Sequence, residues 1–583
     1  MKTGGNEMID LKDIFYEFSS RNALELIRKI SGFHRAKGSL EYSKAREIIQ
    51  NYLKNSTLLT FPMDKTYNTW QSPPSWNLNG GFLKYQNGKY IVSDLSLTPI
   101  SAIFLSDKTD GVEKLEVFDV GKGETEEDYK NFEPGNAVLA DGNPTLVYHY
   151  AIEKFNARCV LSYYMKAQDK SIGRTPNLLP DTINYTSFPS FKNKYAYGYA
   201  LSYDQFQELR EKLKKEKVYI EAFLDADQGT NTLEVLQENI GKDTDQPAII
   251  LTAHLCHPKP GANDNASGSA LLSEVMRVLE KFQNHLNRKI IGLWVAEMYG
   301  TAAYLTTEFP KNAYVINLDM VGEDQFKTGS TLKLTPSPWA IPSFLGELLY
   351  VNLEYPAFRL SFERYSGGSD HYMFSDPNLG IPAVSLTNWP DRYYHSSDDT
   401  VDNCSKNTLD WIGKAVLKTI YDLDNMSQEV SAQVKGKIIN NHFKLANVQS
   451  KLITNYVNYM TYLKLQQLSK YGDVEEELIE FFKEKIDFNL IPSQKRKIRK
   501  NIGPISDSWY NIEDIKWMNQ VREKVPNFRD FLDIFLNVFE LGFSKEEAIL
   551  IAKAELGIEE DLKAEVEHYL QRLKEEKLIE SSL

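Results

Sequence analysis

Ile249-Ile250-Leu251-Thr252-Ala253-His254-Leu255-Cys256-His257-Pro258, with Gly261-Ala262-Asn263-Asp264-Asn265-Ala266-Ser267-Gly268 just behind it, is the stretch that decides the fold. An apolar, β-prone run stops at a histidine. Ten residues on, an aspartate stands in a small Gly- and Asn-rich loop. The segment after it repeats apolar residues at helical spacing (Ala270, Leu271, Val275, Met276, Val278, Leu279), with Asn265 or Ser267 placed to cap it. Strand, loop and helix in that order open a βαβ unit. In open parallel sheets, ligands collect where loops leave the carboxyl ends of the strands. His254 and Asp264 are both expected there.

The pattern repeats downstream. Lys289–Val295 reads as a second buried strand, with Glu297 after it. Residues 313–318 form a third, ending at Asp319-Met320-Val321-Gly322. Residues 381–386 form a fourth, and the loop beyond carries Tyr393-Tyr394-His395-Ser396-Ser397-Asp398-Asp399-Thr400. Four strands therefore deliver His, Asp, Glu, Asp and His to one sheet edge. Neutral imidazole and carboxylate are the donors that zinc prefers in a hydrolytic site.

The order of these residues resembles the two-zinc aminopeptidase family, which includes aminopeptidase Y, glutamate carboxypeptidase and glutaminyl cyclase. The motifs are His254, N-D-N-x-S-G around Asp264, Glu297 before Gly300-Thr301, N-L-D-M-V-G around Asp319, Ser369-Asp370-His371, and Y-H-S-x-x-D-T around His395. They cover roughly 236–425. The resemblance implies an α/β fold: a mostly parallel, doubly wound sheet of zinc-peptidase architecture. It also implies one or two Zn2+ per chain, with His254, Asp264, Asp319 and His395 as ligands and Asp264 bridging. Its chemistry is hydrolysis of a peptide or amide substrate by a metal-activated water, with a glutamate as general base.

Two departures stand out. The family places two adjacent glutamates before the glycine, the first the base and the second a ligand; here the segment is Ala296-Glu297-Met298-Tyr299-Gly300. Aligned on Gly300, Glu297 takes the base position and Met298 the ligand position, where a thioether is a poor donor beside hard oxygens; shifted by one residue, Glu297 becomes a ligand and no base is left. His257, or Asp370 or His371, could substitute; a structural histidine before Pro258 is an equal reading of His257. The family also often has an aspartate two places after the first histidine, where this chain has Cys256. Tyr394 is a candidate for the oxyanion, as relatives use a tyrosine there, or packs on the sheet edge. Asp398 and Asp399 read as turn caps or as supports for His395. Arg364, near the Ser369-Asp370-His371 loop, is a candidate for a substrate carboxylate.

The 583 residues allow several domains, and 42% hydrophobic with 25% charged residues is an ordinary globular balance. A formal net charge of −13 argues against nucleic-acid or anionic-membrane binding. Met1–Asp13 has no apolar leader pattern, and no stretch has the length and apolarity of a membrane span. Three cysteines without a pairing framework fit a reducing, cytoplasmic setting. The expected organisation is N-terminal helices over 1–60, a protease-associated-like α/β insertion over 61–230, the zinc-peptidase domain over 231–427, and an all-helical C-terminal domain over 428–583. Residues 9–55 read as two helices, with His34 in a surface loop between them. The last helices are faintly similar to a winged helix. Lys495–Lys500 reads as a solvated helix end, and the C-terminal region as a lid or a homo-oligomer contact. The whole points to an aminopeptidase-type zinc exopeptidase. The alternatives are a carboxypeptidase, amidase or cyclase variant, or a non-catalytic metal-binding or regulatory descendant of the fold.

Overall fold

The computed structural model describes residues 10–445 and 450–580; the first nine residues, part of the stretch read above for a leader, lie outside them. Its centre is an eight-stranded sheet, numbered here in chain order: β1 (Ser56–Pro62), β2 (Thr232–Gly241), β3 (Ala248–His254), β4 (Lys289–Val295), β5 (Ala313–Leu318), β6 (Thr331–Thr335), β7 (Leu360–Phe362) and β8 (Ala383–Trp389). The spatial order is β1-β2-β4-β3-β5-β8-β6-β7. The four strands read from the sequence, β4-β3-β5-β8, are neighbours and parallel. β1, β2 and β6 join antiparallel at the flanks, so the sheet is mixed with a parallel centre. From β3 the chain crosses to β4 on one side and then returns to β5 on the other. The carboxyl end of β3 is therefore the switch point at which ligands gather.

β3 is buried along its whole length, and this explains its unbroken apolar run. One face of the sheet is covered by helices Ser20–Ile30, Gly268–Lys281 and Lys406–Asn425. Ser20–Ile30 buries Ala23, Leu26, Ile27 and Ile30, an i, i+3, i+4, i+7 stripe. Each such Leu or Ile is worth about 1.5–3 kcal/mol of burial. The two helices expected over 9–55 are three, because Ser19 ends one at Phe18 and caps the next by accepting from Asn22 N–H.

The C-terminal helices form the layer on the opposite face. Phe531, Phe535, Ile551 and Tyr569 share one apolar core with Ile250, Leu293, Val295 and Val315 of the sheet. Lys495–Lys500 departs from the expected solvated helix end: it is not helical, and Arg499 is buried, with its guanidinium on Glu540 at 2.9 Å from Nε. Residues 498–500 instead pair with 578–580 through Lys500 N–H to Leu578 O and Glu580 N–H to Ile498 O. Residues 77–227 build a separate seven-stranded sheet with its own core.

Candidate metal centre

The loop after β3 is stitched to the loop after β5 by the side chains of the motif itself. Asn265 accepts from Met320 N–H at 3.0 Å and Gly268 N–H at 2.9 Å, so it is the helix cap. Ser267 accepts from Val321 N–H, and Asn263 from Gly322 N–H, each at 3.0 Å. Asp399 receives the Asn263 and Asp264 amides at 2.7 and 3.0 Å, which makes it a support for the Asp264 loop. The small polar residues flanking Asp264 and the backbone after Asp319 thus hold one another in register.

The carboxylate of Asp264 stands between two sets of donors. Its Oδ1 is 3.4 Å from His254 Nε2, which is in turn 3.3 Å from Asp319 Oδ1. Its Oδ2 is 3.3 Å from His257 Nε2 and 3.2 Å from His395 Nε2. A tetrahedral zinc with bonds of about 2.0–2.1 Å keeps its donors roughly 3.3 Å apart. His257 Nε2 and Asp319 Oδ1 are buried and lack hydrogen-bond partners, as donors aimed at a shared ion would be. Both groups, His254/Asp264/Asp319 and His257/Asp264/His395, are therefore able to hold a metal ion, as is a third among the described residues, His254/Cys256/Glu297.

The tautomers agree. His254 Nδ1 lies 3.1 Å from Cys256 O and His257 Nδ1 lies 2.8 Å from Pro258 O, which leaves each Nε2 lone pair free for a metal. Cys256 supports His254 through its carbonyl. Its thiol accepts from Glu297 N–H at 3.1 Å and lies beside His254 and Glu297. Burial pushes His254 down, but Glu297 and Asp319 outweigh it and hold the imidazole well above its ordinary range. Burial likewise opposes the charge on Asp264, yet His257, His395 and His254 hold it well below the carboxylate range. This pocket demands positive charge.

Glu297 follows β4 with its carboxylate accepting no hydrogen bond among the described residues; burial raises its pKa, and His254 and Lys37 partly offset this. Met298 packs against the core shared by the sheet and the C-terminal helices and sits at φ 59°, in the left-handed region. Asp370 Oδ1 pins that turn through Met298 N–H at 2.8 Å and Thr301 Oγ1 at 2.5 Å. His371 Nε2 lies on Ser366 O at 2.8 Å, and burial lowers its pKa to about 4. Neither Asp370 nor His371 joins a metal-type group. Tyr394 stacks on His395 with ring centroids 3.7 Å apart. Arg364 is exposed and lies against Gly557, the cap of helix Lys545–Leu556, where a Cβ would meet its guanidinium; the structure does not bring it to the metal groups.

Four contributors were not read as such from the sequence. Arg35, fully buried, donates to the carbonyls of Leu255, Pro260 and Gly261 at 2.7, 3.1 and 2.8 Å and exchanges backbone bonds with His257. Gly261, at φ 50°, comes so close that a Cβ there would lie 2.4 Å from His257 Nδ1. His34, expected at the surface, is buried and accepts from Lys259 N–H at 3.2 Å; burial lowers its pKa to about 3. Tyr185 lies with its ring 5.4 Å from that of His395 and donates its N–H to His395 O at 2.7 Å. The one available signal was the density of cationic side chains in Phe33-His34-Arg35-Ala36-Lys37.

A parallel-centred sheet with two His/Asp groups sharing one carboxylate at its switch point defines the zinc-peptidase class of α/β fold. Residues 234–420 match the model of Peptidase family M28, and the likeness read from the motifs holds for that segment. The chain is similar to Aminopeptidase YwaD of Bacillus subtilis, at 26% identity over 221 residues, covering 34% of this chain and 46% of that protein. It is also similar to Leucine aminopeptidase 2 of Arthroderma otae, at 27% over 212 residues, 30% of this chain and 42% of that one. The chain thus spans less than half the length of these curated relatives. The structure of BSAP, a zinc aminopeptidase from Bacillus subtilis, superposes with a TM-score of 0.51 at 19% identity, covering 70% of this chain and 95% of that one, and shares the fold.

Proposed function

We propose that the protein is a zinc-dependent exopeptidase of the aminopeptidase type. The observation that carries this reading is the pair of donor groups around Asp264, spaced as zinc ligands are, with an unbonded glutamate beside them. His254, Asp264 and Asp319 would hold one zinc, and His257, Asp264 and His395 a second; His257 fills the place left by Met298. Zinc, when bound, supplies a Lewis acid that lowers the pKa of water from about 15.7 to about 7. Glu297 takes the proton from the attacking water and passes it to the leaving amine, a role worth about 10²–10⁴ in rate. Tyr394, its hydroxyl without a partner among the described residues, donates to the developing oxyanion.

Residues 61–230 act as a protease-associated-type wall to the cleft. Ile183 N–H donates to Ser397 Oγ at 3.1 Å and Ser397 N–H to Ile183 O at 2.9 Å, on the His395 loop. The three cysteines are free thiols, which fits a reducing, cytoplasmic compartment. No helix among the described residues is long and apolar enough to cross a membrane. The test is zinc per chain by plasma mass spectrometry on chelator-free protein, with hydrolysis of aminoacyl-p-nitroanilides alongside. Two zincs and turnover are expected. A chain that takes up no zinc on titration overturns the reading.

A further inference from the structure

Two cations that the metal groups do not use stand beside them, a third lies within electrostatic reach of one of these, and each comes from outside residues 234–420. Lys37 belongs to the loop between helices Ser20–Ile30 and Leu40–Tyr52, Lys166 follows strand Cys159–Ser162 of the second sheet, and Arg522 ends helix Ile512–Arg522. Lys37 Nζ stands 4.9 Å from the centre of the Tyr299 ring, within electrostatic reach of Glu297. Lys166 Nζ stands 6.0 Å from the centre of Tyr394, the ring that stacks on His395, and its charge is felt at both Glu297 and His395. Arg522 lies within the same reach of Lys166 and of Tyr164.

Among the described residues none of the three forms an ion pair, although acids outnumber bases 80 to 67 along the chain. Arg529, close by, shows the alternative: its Nη1 lies 2.8 Å from Asp507. Lys166 and Arg522 keep more than a third of their surface open to solvent, yet the surroundings of Lys166 are crowded enough to push its pKa down. An exposed cation without an ion-pair partner is placed to meet an anion that arrives from solvent. A basic substrate side chain would be repelled there.

We propose that the cleft selects acidic peptides, with a carboxylate beside the scissile bond received by Lys166 and Arg522 on the His395 side and by Lys37 on the Glu297 side. This rests on the peptidase reading. The test uses the full, zinc-loaded chain and two dipeptides of equal shape, Glu-Ala and Gln-Ala. Binding is measured by calorimetry in the Glu297→Gln background and hydrolysis in the wild type. Glu-Ala is expected to bind roughly ten-fold more tightly, as a charge-assisted contact allows, and added salt should weaken it alone. Lys166→Met and Arg522→Gln should abolish the difference, while Lys166→Arg should keep it. Equal binding of the two dipeptides, binding of neither, or a preference that survives both Lys166→Met and Arg522→Gln overturns the proposal. Equal cleavage of both would leave the peptidase reading standing and remove this one; selective binding of Glu-Ala without turnover would do the reverse.

Discussion

The two donor groups share Asp264 but are assembled differently. His254 and Asp319 follow adjacent parallel strands, and their loops are tied together by Asn263, Asn265 and Ser267. His257 and His395 stand in loops whose shape is set from a distance, the first by Arg35 and His34, the second by residues 182–185 of the second sheet's domain. One group is built into the sheet. The other depends on two further parts of the chain docking correctly, and a site of that kind can lose one ion while keeping the other.

The strongest break is Asp264→Asn, which removes the shared carboxylate. Zinc per chain should fall to none, and hydrolysis by on the order of 10³ or more, read by mass spectrometry and initial rates. His257→Ala should separate the groups by lowering zinc from two to one while His254, Asp264 and Asp319 keep theirs; an unchanged count would take His257 out of the ligand set. Glu297→Gln should leave zinc untouched and cost about 10²–10⁴ in kcat. A smaller effect is expected from Thr182→Val, which removes the hydroxyl that donates to Asp398 beside the His395 loop. Affinity for the second zinc should drop about ten-fold, in chelator competition, with the first unaffected.

The smallest effect lies away from both groups and serves as their control. Glu555 is buried, its carboxylate receives Trp339 N–H at 2.9 Å, and burial raises its pKa to about 8. Its folded pKa thus exceeds its unfolded value of about 4.3. The folded state holds the proton more tightly, so this contribution is fully present below about pH 4.3 and is lost as pH rises towards 8, by on the order of a few kcal/mol. Thermal melts from pH 5 to pH 8 should flatten in Glu555→Gln, with zinc content unchanged.

The strand-end residues were legible because periodicity and position coincide: an apolar run has one end, and a His, Glu or Asp there has few other uses. The four parallel strands and His254, Glu297 and Asp319 follow that logic, whereas Asp264 and His395 stand in the loops beyond and were legible from their motifs. His257 was legible only as a choice, since a histidine before proline looks the same whether it faces an ion or a turn. Arg35, Lys37, Lys166 and Tyr185 sit in aperiodic loops, and their nearness to the cleft arises from docking that no local pattern records. Arg364 was read as a substrate contact from its place near Ser369-Asp370-His371, and its guanidinium lies against Gly557 of the C-terminal helices, a contact between remote segments that no local pattern records. Lys495–Lys500 misled as well, because a buried Glu540 partner cannot be seen from a run of charges.

Arg522, which ends helix Ile512–Arg522, has an implication for the order in which the molecule comes into being. Every proposed zinc donor is translated by residue 395, whereas Arg522 and the helices that share the sheet's core come more than a hundred residues later. One face of the sheet that carries the site therefore stays bare until those helices are made, so the completion of synthesis and the completion of the site coincide.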